Sequence, residues 1–275
     1  MNNLPTIKFV ELDRLLLHEE VDSARIAKLK RIISRAEVFT NPPMVAPTAG
    51  GKKYIVLDGA NRTTVFKQLG YQEIPVQIVR YGGTEVRLMT WNHLVTGLSG
   101  GRRLFSALRR ATGAKVYATT LLKARRLLKR RAIVLYVVDG RTTWCIDAGR
   151  DFTRQIQALD KAVKVYKGRY KFFRVLGIDY KELRREYPEA RPLFVFMPFR
   201  EIDVIKAVRL GIYMPSGITR HAIEGRILRL DIPLEIVRSR RSITTKNRFL
   251  RKLLEQRLSH NQIRYYTEPI FIYND

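Results

Sequence analysis

The chain has 275 residues, enough for one large domain or two small ones, and 45% of them are hydrophobic, which supports a real core and excludes wholesale disorder. Lysine and arginine outnumber aspartate and glutamate by 52 to 25, a formal net charge of +27 spread along the chain rather than gathered in a tail. That balance points to nucleic acid, to anionic small molecules, or to a basic cellular background. No apolar run is long enough for a membrane span, and Met1-Asn2-Asn3-Leu4-Pro5-Thr6 lacks the apolar core of a signal peptide, so a cytoplasmic protein is expected. Cys145 is the only cysteine, which excludes an internal disulfide and a cysteine metal cluster; in the strand-like run Thr142 to Ile146 it reads as a buried, inert thiol.

Taken in order, Ile7 to Leu12 predicts a first strand, and Leu15 to Glu20 leads into a helix capped by Asp22 or Ser23. Ile26, Leu29, Ile32 and Ile33 give that helix an apolar face, and Glu19 falls in the turn before it. Phe39-Thr40-Asn41-Pro42-Pro43 is not helical, since each proline restricts its predecessor. Met44 to Ala46 and Tyr54 to Leu57 read as a hairpin turned by Gly50-Gly51-Lys52. Asp58-Gly59 breaks the second strand, and from Asn61 the spacing of Val65, Phe66 and Leu69 is helical, with Gly70 as the stop. Asp58, Gly59, Ala60, Asn61 and Arg62 therefore sit where a strand turns into a helix. Such a helix start offers unpaired N–H groups and a positive dipole end to phosphate; Arg62 adds a forked cation, and Asp58 a carboxylate able to hold a metal or orient a hydroxyl. Ile74 to Val79 is a further strand, and the first ninety or so residues form a compact α+β unit.

Gly97-Leu98-Ser99-Gly100-Gly101-Arg102 is the expected linker, placing a domain boundary after residue 96. Beyond it, Leu104 to Ala111 predicts a short helix ended by Gly113, and Ala118 to Leu128 a second helix whose far side, densest from Lys123 to Arg131, is strongly basic. Ile133 to Val138 and Thr142 to Ile146 form a hairpin around Asp139-Gly140-Arg141. Phe152 to Tyr166 is helical, Tyr170 to Tyr187 carries no clear pattern, Leu193 to Met197 is a buried strand, and Ile202 to Leu210 a helix stopped by Gly211. Residues 213–221 form a loop rich in hydrogen-bonding groups, the kind of segment that carries binding residues. Leu250 to Leu258 is a last basic helix and Ile263 to Tyr273 a closing strand.

Generic motifs are absent: no clustered metal ligands, no Walker loop, no dinucleotide fingerprint and no nucleophile elbow. Three histidines stand in suggestive places: His18 beside Glu19, His93 beside Trp91, and His221 beside Arg220. With Glu19, Asp58 and Arg62 they supply what phosphoryl transfer needs, namely cations for phosphates, a carboxylate for Mg²⁺ and a base near an acceptor hydroxyl.

Val56-Leu57-Asp58-Gly59-Ala60-Asn61-Arg62-Thr63 resembles the signature of the ParB/sulfiredoxin-like superfamily, and within it the free L-serine kinases, which use ATP or ADP. Phe9 to Asp13 with Leu17-His18-Glu19 is similar to their opening strand and catalytic glutamate turn, Phe39 to Pro43 to the lip that follows, Thr90-Trp91 to their Thr-Trp segment, and Tyr213 to His221 to their Pro-x-x-x-Thr-Arg-His loop. The resemblance implies a two-domain α+β protein: a ParB-like nucleotide-binding domain over 1–96, a larger α+β domain over 97–275 that contributes the loop 213–221, and an active-site cleft between them. It implies transfer of a phosphoryl group to free L-serine, with O-phospho-L-serine then entering cysteine biosynthesis.

On that analogy Glu19, rather than Glu20, is the general base, and Asp58 positions Mg²⁺ or the hydroxyl. Gly59, Ala60, Asn61, Arg62 and Thr63 cradle the nucleotide phosphates. Trp91, Thr219, Arg220 and His221 close over serine, with Asn92 and His93 as weaker carry-overs. Ala60 and Asn61 stand where family members often have two histidines, which favours ATP as donor. Sulfiredoxin itself is excluded, because this turn has no cysteine. The rival readings are a ParB-like DNA-binding regulator, using the basic stretch from Lys123 to Arg131, and a nucleotide-binding module without catalysis. Against the former, Gly59-Ala60-Asn61-Arg62 only half matches the partition proteins' Gly-Glu-Arg-Arg, and no helix-turn-helix follows residue 95.

Overall fold

The computed structural model describes residues 5–98 and 100–262, so the closing strand expected over 263–273 lies outside the described residues. The chain opens with β1 (Thr6–Glu11), a 3₁₀ turn at Leu12–Arg14 and β2 (Leu15–Leu17). Leu15 to Leu17 is thus a short strand in its own right, not a lead into the helix. Helix α1 (Ser23–Arg35) is capped by Asp22, whose side chain accepts from the Arg25 N–H. Of its four expected core residues, Ile26 and Ile33 are buried while Ile32 is 51% exposed. One step along a helix turns the side chain by about 100°, which carries Ile32 off the stripe that Ile26 and Ile33 share.

β3 (Val38–Phe39), β4 (Met44–Pro47), β5 (Tyr54–Asp58), α2 (Ala60–Gln68) and β6 (Glu73–Ile78) follow. The expected hairpin is β4 with β5, antiparallel from Met44↔Asp58 to Pro47↔Tyr54. β4, β5 and β6 join β1 and β2 in a five-stranded sheet of order β1-β6-β4-β5-β2, while β3 stands outside it. Its inner residues, Phe9, Val10, Val45, Val56, Ile74 and Val76, are all buried and apolar.

From residue 87 the chain builds a second compact unit, introduced by β7 (Val86–Thr90). Its elements are β8 (Asn92–Thr96), α3 (Gly101–Thr112), β9 (Lys115–Thr119), α4 (Leu121–Lys129), β10 (Leu135–Asp139), β11 (Thr142–Asp147), α5 (Phe152–Lys164), β12 (Phe172–Val175), α6 (Tyr180–Glu186), β13 (Ala190–Phe196), α7 (Glu201–Arg209) and β14 (Thr219–Ile223). Six of the strands form one sheet, β12-β8-β13-β10-β11-β9, and β14 pairs with β7. Ala118, expected in a helix, lies in β9 opposite Trp144. The basic helix is α4, with Lys123, Arg125 and Arg126 exposed and Ala124 and Leu128 buried. Cys145 in β11 is fully buried; burial pushes its thiol up to about 11, so it stays protonated and inert.

The last described elements are β15 (Ile232–Pro233), α8 (Leu234–Arg238) and α9 (Ile243–Ser259), and they return to the first unit. β15 pairs with β3, and Asn247 of α9 takes the Phe9 N–H at 2.7 Å and gives its amide to the Phe9 carbonyl. Lys246, only 2% exposed, pairs with Glu73 at 2.7 Å. The chain therefore does not divide after residue 96. One unit comprises residues 5–16, 21–86 and 223–262, and the other residues 17–20 and 87–222, Ser99 being outside the described residues. Gly97 to Arg102 is not the hinge, because β8 before it and α3 after it belong to the same unit. Gly101 opens α3, its N–H held by Asp139 at 2.8 Å.

Candidate active site

In the first unit, β5 ends at Asp58 and α2 starts at Ala60, with Gly59 as the cap. Gly59 has φ +95°, and a Cβ there would stand 2.9 Å from the Pro43 Cβ, so both backbone and space require glycine. No side chain caps the helix, which leaves the first N–H groups of α2 at the positive end of its dipole. Arg62 Nη2 lies 2.8 Å from Asp58 Oδ2, and Arg226 Nη2 lies 2.9 Å from the same oxygen. Arg62 also donates through Nη1 to the Asn41 carbonyl. Burial draws the Arg62 guanidinium below its ordinary value, and Asp58 opposes that pull. Two guanidiniums on one carboxylate, beside a helix N-terminus, make a corner of net positive charge suited to phosphate.

Not every residue expected in the cradle turns its side chain to it. Asn61 Oδ1 accepts the Asp22 N–H at 3.0 Å and so braces α1 against α2. Ala60 is buried, and Thr63 is fully buried, its hydroxyl without a partner among the described residues. The corner's second cation, Arg226, escaped the sequence reading. It lies far from Asp58 along the chain, and no local pattern marks it.

In the second unit, residues 17–20 are pinned to the loop at 214. The Met214 N–H donates to the His18 carbonyl and the Glu20 N–H to the Met214 carbonyl, both at 2.8 Å. This places Glu19 beside the start of β14, where the Thr219 hydroxyl donates to Glu19 Oε2 at 3.1 Å. His18 Nε2 stands 3.2 Å from the same hydroxyl, and the His221 ring meets the His18 ring edge-on with centroids 5.2 Å apart. The Arg220 guanidinium lies over the Trp91 ring at 4.5 Å. Glu20 is paired with Lys164 at 3.1 Å, which separates its role from that of its neighbour. The structure thus gathers Glu19, Thr219 and His221 around His18, sets Arg220 on Trp91, and makes residues 219–221 part of a strand.

Asn92 and His93 face inward instead. Asn92 Oδ1 accepts the Phe196 N–H at 3.3 Å, which ties β8 to β13. His93 is 0% exposed among Phe172, Phe196 and Tyr166. Its Nε2 donates to the Gly217 carbonyl at 2.9 Å, so its Nδ1 accepts from the Tyr166 hydroxyl at 2.5 Å. Both nitrogens are used by a neutral ring, which makes His93 a strut under the loop rather than a ligand of serine.

Burial lowers the His93 pKa to about 3, with Arg174 and Lys167 adding to the fall against the Gly217 hydrogen bond. The unfolded chain binds a proton below about pH 6.5 that the fold refuses, so His93 costs stability progressively as pH falls from about 6.5 towards 3. Between pH 6.5 and 5 the loss is about 2 kcal/mol. Urea unfolding at pH 7 and pH 5 is expected to show it, and His93→Gln, which has no titrating ring, is expected to lose less stability over that interval. Equal losses in the two proteins would remove His93 from this role.

The fold and these two groups of residues define an α+β protein that presents an arginine-flanked helix start in one unit and a hydrogen-bonded carboxylate in the other. No protein-family profile matches the chain. It is similar, at 24% identity over 271 residues covering 97% of this chain and 96% of the other, to the ATP-dependent L-serine kinase SbnI of Staphylococcus aureus. It is 28% identical over 246 residues, covering 83% of this chain and 90% of the other, to the ATP-dependent L-serine kinase of Desulfurococcus mucosus. Among solved structures, a free serine kinase in complex with AMP matches with a TM-score of 0.72 at 20% identity, covering 86% of this chain and 96% of that one, and this likeness supports the fold. The resemblance to free L-serine kinases thus extends over most of the chain. Among the described residues no helix is long and apolar enough to cross a membrane.

Proposed function

We propose that the protein is a kinase that transfers the terminal phosphoryl group of ATP, or of ADP, to the hydroxyl of free L-serine, giving O-phospho-L-serine. Similarity over most of the chain to two proteins named ATP-dependent L-serine kinase carries this reading. The same names do not favour the DNA-binding alternative, and the exposed cations of α4 are left as a solvated face.

In this reading Glu19 takes the proton of the serine hydroxyl as the serine oxygen bonds to phosphorus and the bond from phosphorus to the leaving nucleotide breaks. The N–H groups at the start of α2, with Arg62 and Arg226, hold the phosphates. Arg220, held over the Trp91 ring, offers its fork to the serine carboxylate or the moving phosphoryl group, with His221 nearby. The phosphate corner and the Glu19 group lie in different units, and the proposal requires a cleft in which both meet one pair of substrates, closed to water.

Magnesium fits the corner in one respect. The Asp58 side chain is 37% exposed despite its two arginines, so a hard carboxylate oxygen borders the phosphate position. No group of three or more His, Cys, Asp or Glu able to hold a metal ion exists among the described residues. The ion would arrive on the nucleotide, with Asp58 as its protein ligand, and would neutralise charge on the phosphates.

The test is incubation of the purified protein with L-serine, Mg²⁺ and either ATP or ADP, followed by phosphoserine detection by ³¹P NMR. Phosphoserine is expected with ATP. Its absence with both donors would overturn the reading.

A further inference from the structure

The chemistry of the Glu19 group depends on a residue to which the proposed function gives no part. His18 is 1% exposed, and its backbone is fixed by the Met214 N–H. The Thr219 hydroxyl lies between His18 Nε2, at 3.2 Å, and Glu19 Oε2, at 3.1 Å. A hydroxyl has one hydrogen to give. An ionised carboxylate has none, so the Thr219 hydrogen goes to Glu19, and the Thr219 oxygen must accept from an N–H on His18 Nε2. The three groups then form a directed chain, histidine to threonine to glutamate, and the edge of His221 fixes the histidine ring. Glu20 is outside the chain, held by Lys164.

We propose that His18 is a positioning residue: through the Thr219 hydroxyl it locks the Glu19 side chain with Oε2 engaged, leaving Oε1 for the acceptor hydroxyl. The inference rests on the reading of Glu19 as base. A free glutamate side chain samples several rotamers, and holding it in one geometry removes an orientational cost from the proton-transfer step. Thr219, expected from the sequence to contact substrate, acts on Glu19 instead.

The loss should therefore fall on kcat rather than on the serine KM. Thr219→Val keeps the shape of the side chain and removes the hydroxyl; it is expected to lower kcat about 10- to 100-fold, with KM nearly unchanged. Thr219→Ser is expected to restore most of the rate. His18→Gln, which keeps an N–H donor, is expected to retain more activity than His18→Phe. A rise in KM with kcat preserved in Thr219→Val would make Thr219 a substrate contact and overturn the proposal.

A second readout needs no activity. Long-range ¹⁵N–¹H NMR of the imidazole rings is expected to find a hydrogen on His18 Nε2 in the unliganded protein and a shifted signal in Thr219→Val. A ring protonated at Nδ1 alone would overturn the chain whatever the kinetics. If Nε2–H is found but no serine is phosphorylated, the hydrogen-bond chain stands and its catalytic purpose is refuted, which separates this failure from that of the proposed function.

Discussion

Glu19→Ala is expected to lower phosphoserine formation by about 10²- to 10⁴-fold, the range that a positioned general base contributes. The expectation stems from the geometry of residues 17–20: the backbone pairing with Met214 fixes where the side chain starts, and the Thr219 hydroxyl fixes where one of its oxygens ends. Glu20, one residue on, is neutralised by Lys164, so it is not placed to take over. Nucleotide affinity is expected to stay close to that of the parent protein, since the proposed phosphate ligands all belong to the other unit. Turnover with serine measured alongside calorimetric titration with ATP separates the two quantities. Near-normal turnover in Glu19→Ala would refute its assignment as base.

The second large effect is expected at Arg62. Arg62→Ala removes a charged donor from the phosphate corner, and hydrogen bonds to charged groups contribute about 1.5–3 kcal/mol. Nucleotide binding is therefore expected to weaken about 10- to 100-fold. The variant should still fold, because Asp58 keeps Arg226 at 2.9 Å and is not left as an unpaired charge. Arg226→Ala is the matching control; it too should weaken binding, although nothing in the local sequence marks it. Unchanged nucleotide affinity in Arg62→Ala, measured by the same titration, would count against the corner as the phosphate site.

These two sites differ in how far the sequence disclosed them. The corner was legible because it is local: an apolar β-branched run, a glycine that must turn and a helical period follow one another within residues 54–70, and the structure has β5, Gly59 and α2 in that order. The hairpin of β10 and β11 around Asp139-Gly140 was legible for the same reason. Long-range pairings were not. Nothing in residues 223–262 announces that β15 pairs with β3 or that Asn247 holds Phe9, so the sequence points to a boundary after 96 and hides the return of the chain to its first unit. β9 is not separable by pattern from the helix after it, because Ala118 and Leu121 fit a helical face as well as a strand end. The joining of Glu19 to Met214 and Thr219 across some 200 positions was not legible either: family resemblance names Glu19 and Thr219 but sets Thr219 against serine and Glu19 in the first domain. Adjacency misled at His93: it stands two residues from Trp91, yet β8 turns it into the core, where a neutral imidazole serves two hydrogen bonds.

The proposed function requires one pair of substrates to reach both the Glu19 carboxylate and the arginine corner at residues 58–62. A crystal structure with L-serine, Mg²⁺ and a non-hydrolysable ATP analogue tests it most directly. The serine hydroxyl is expected in hydrogen-bond contact with Glu19, and the nucleotide phosphates on Arg62 and the first N–H groups of α2. Serine bound away from Glu19, or a nucleotide whose phosphates avoid that corner, would contradict it.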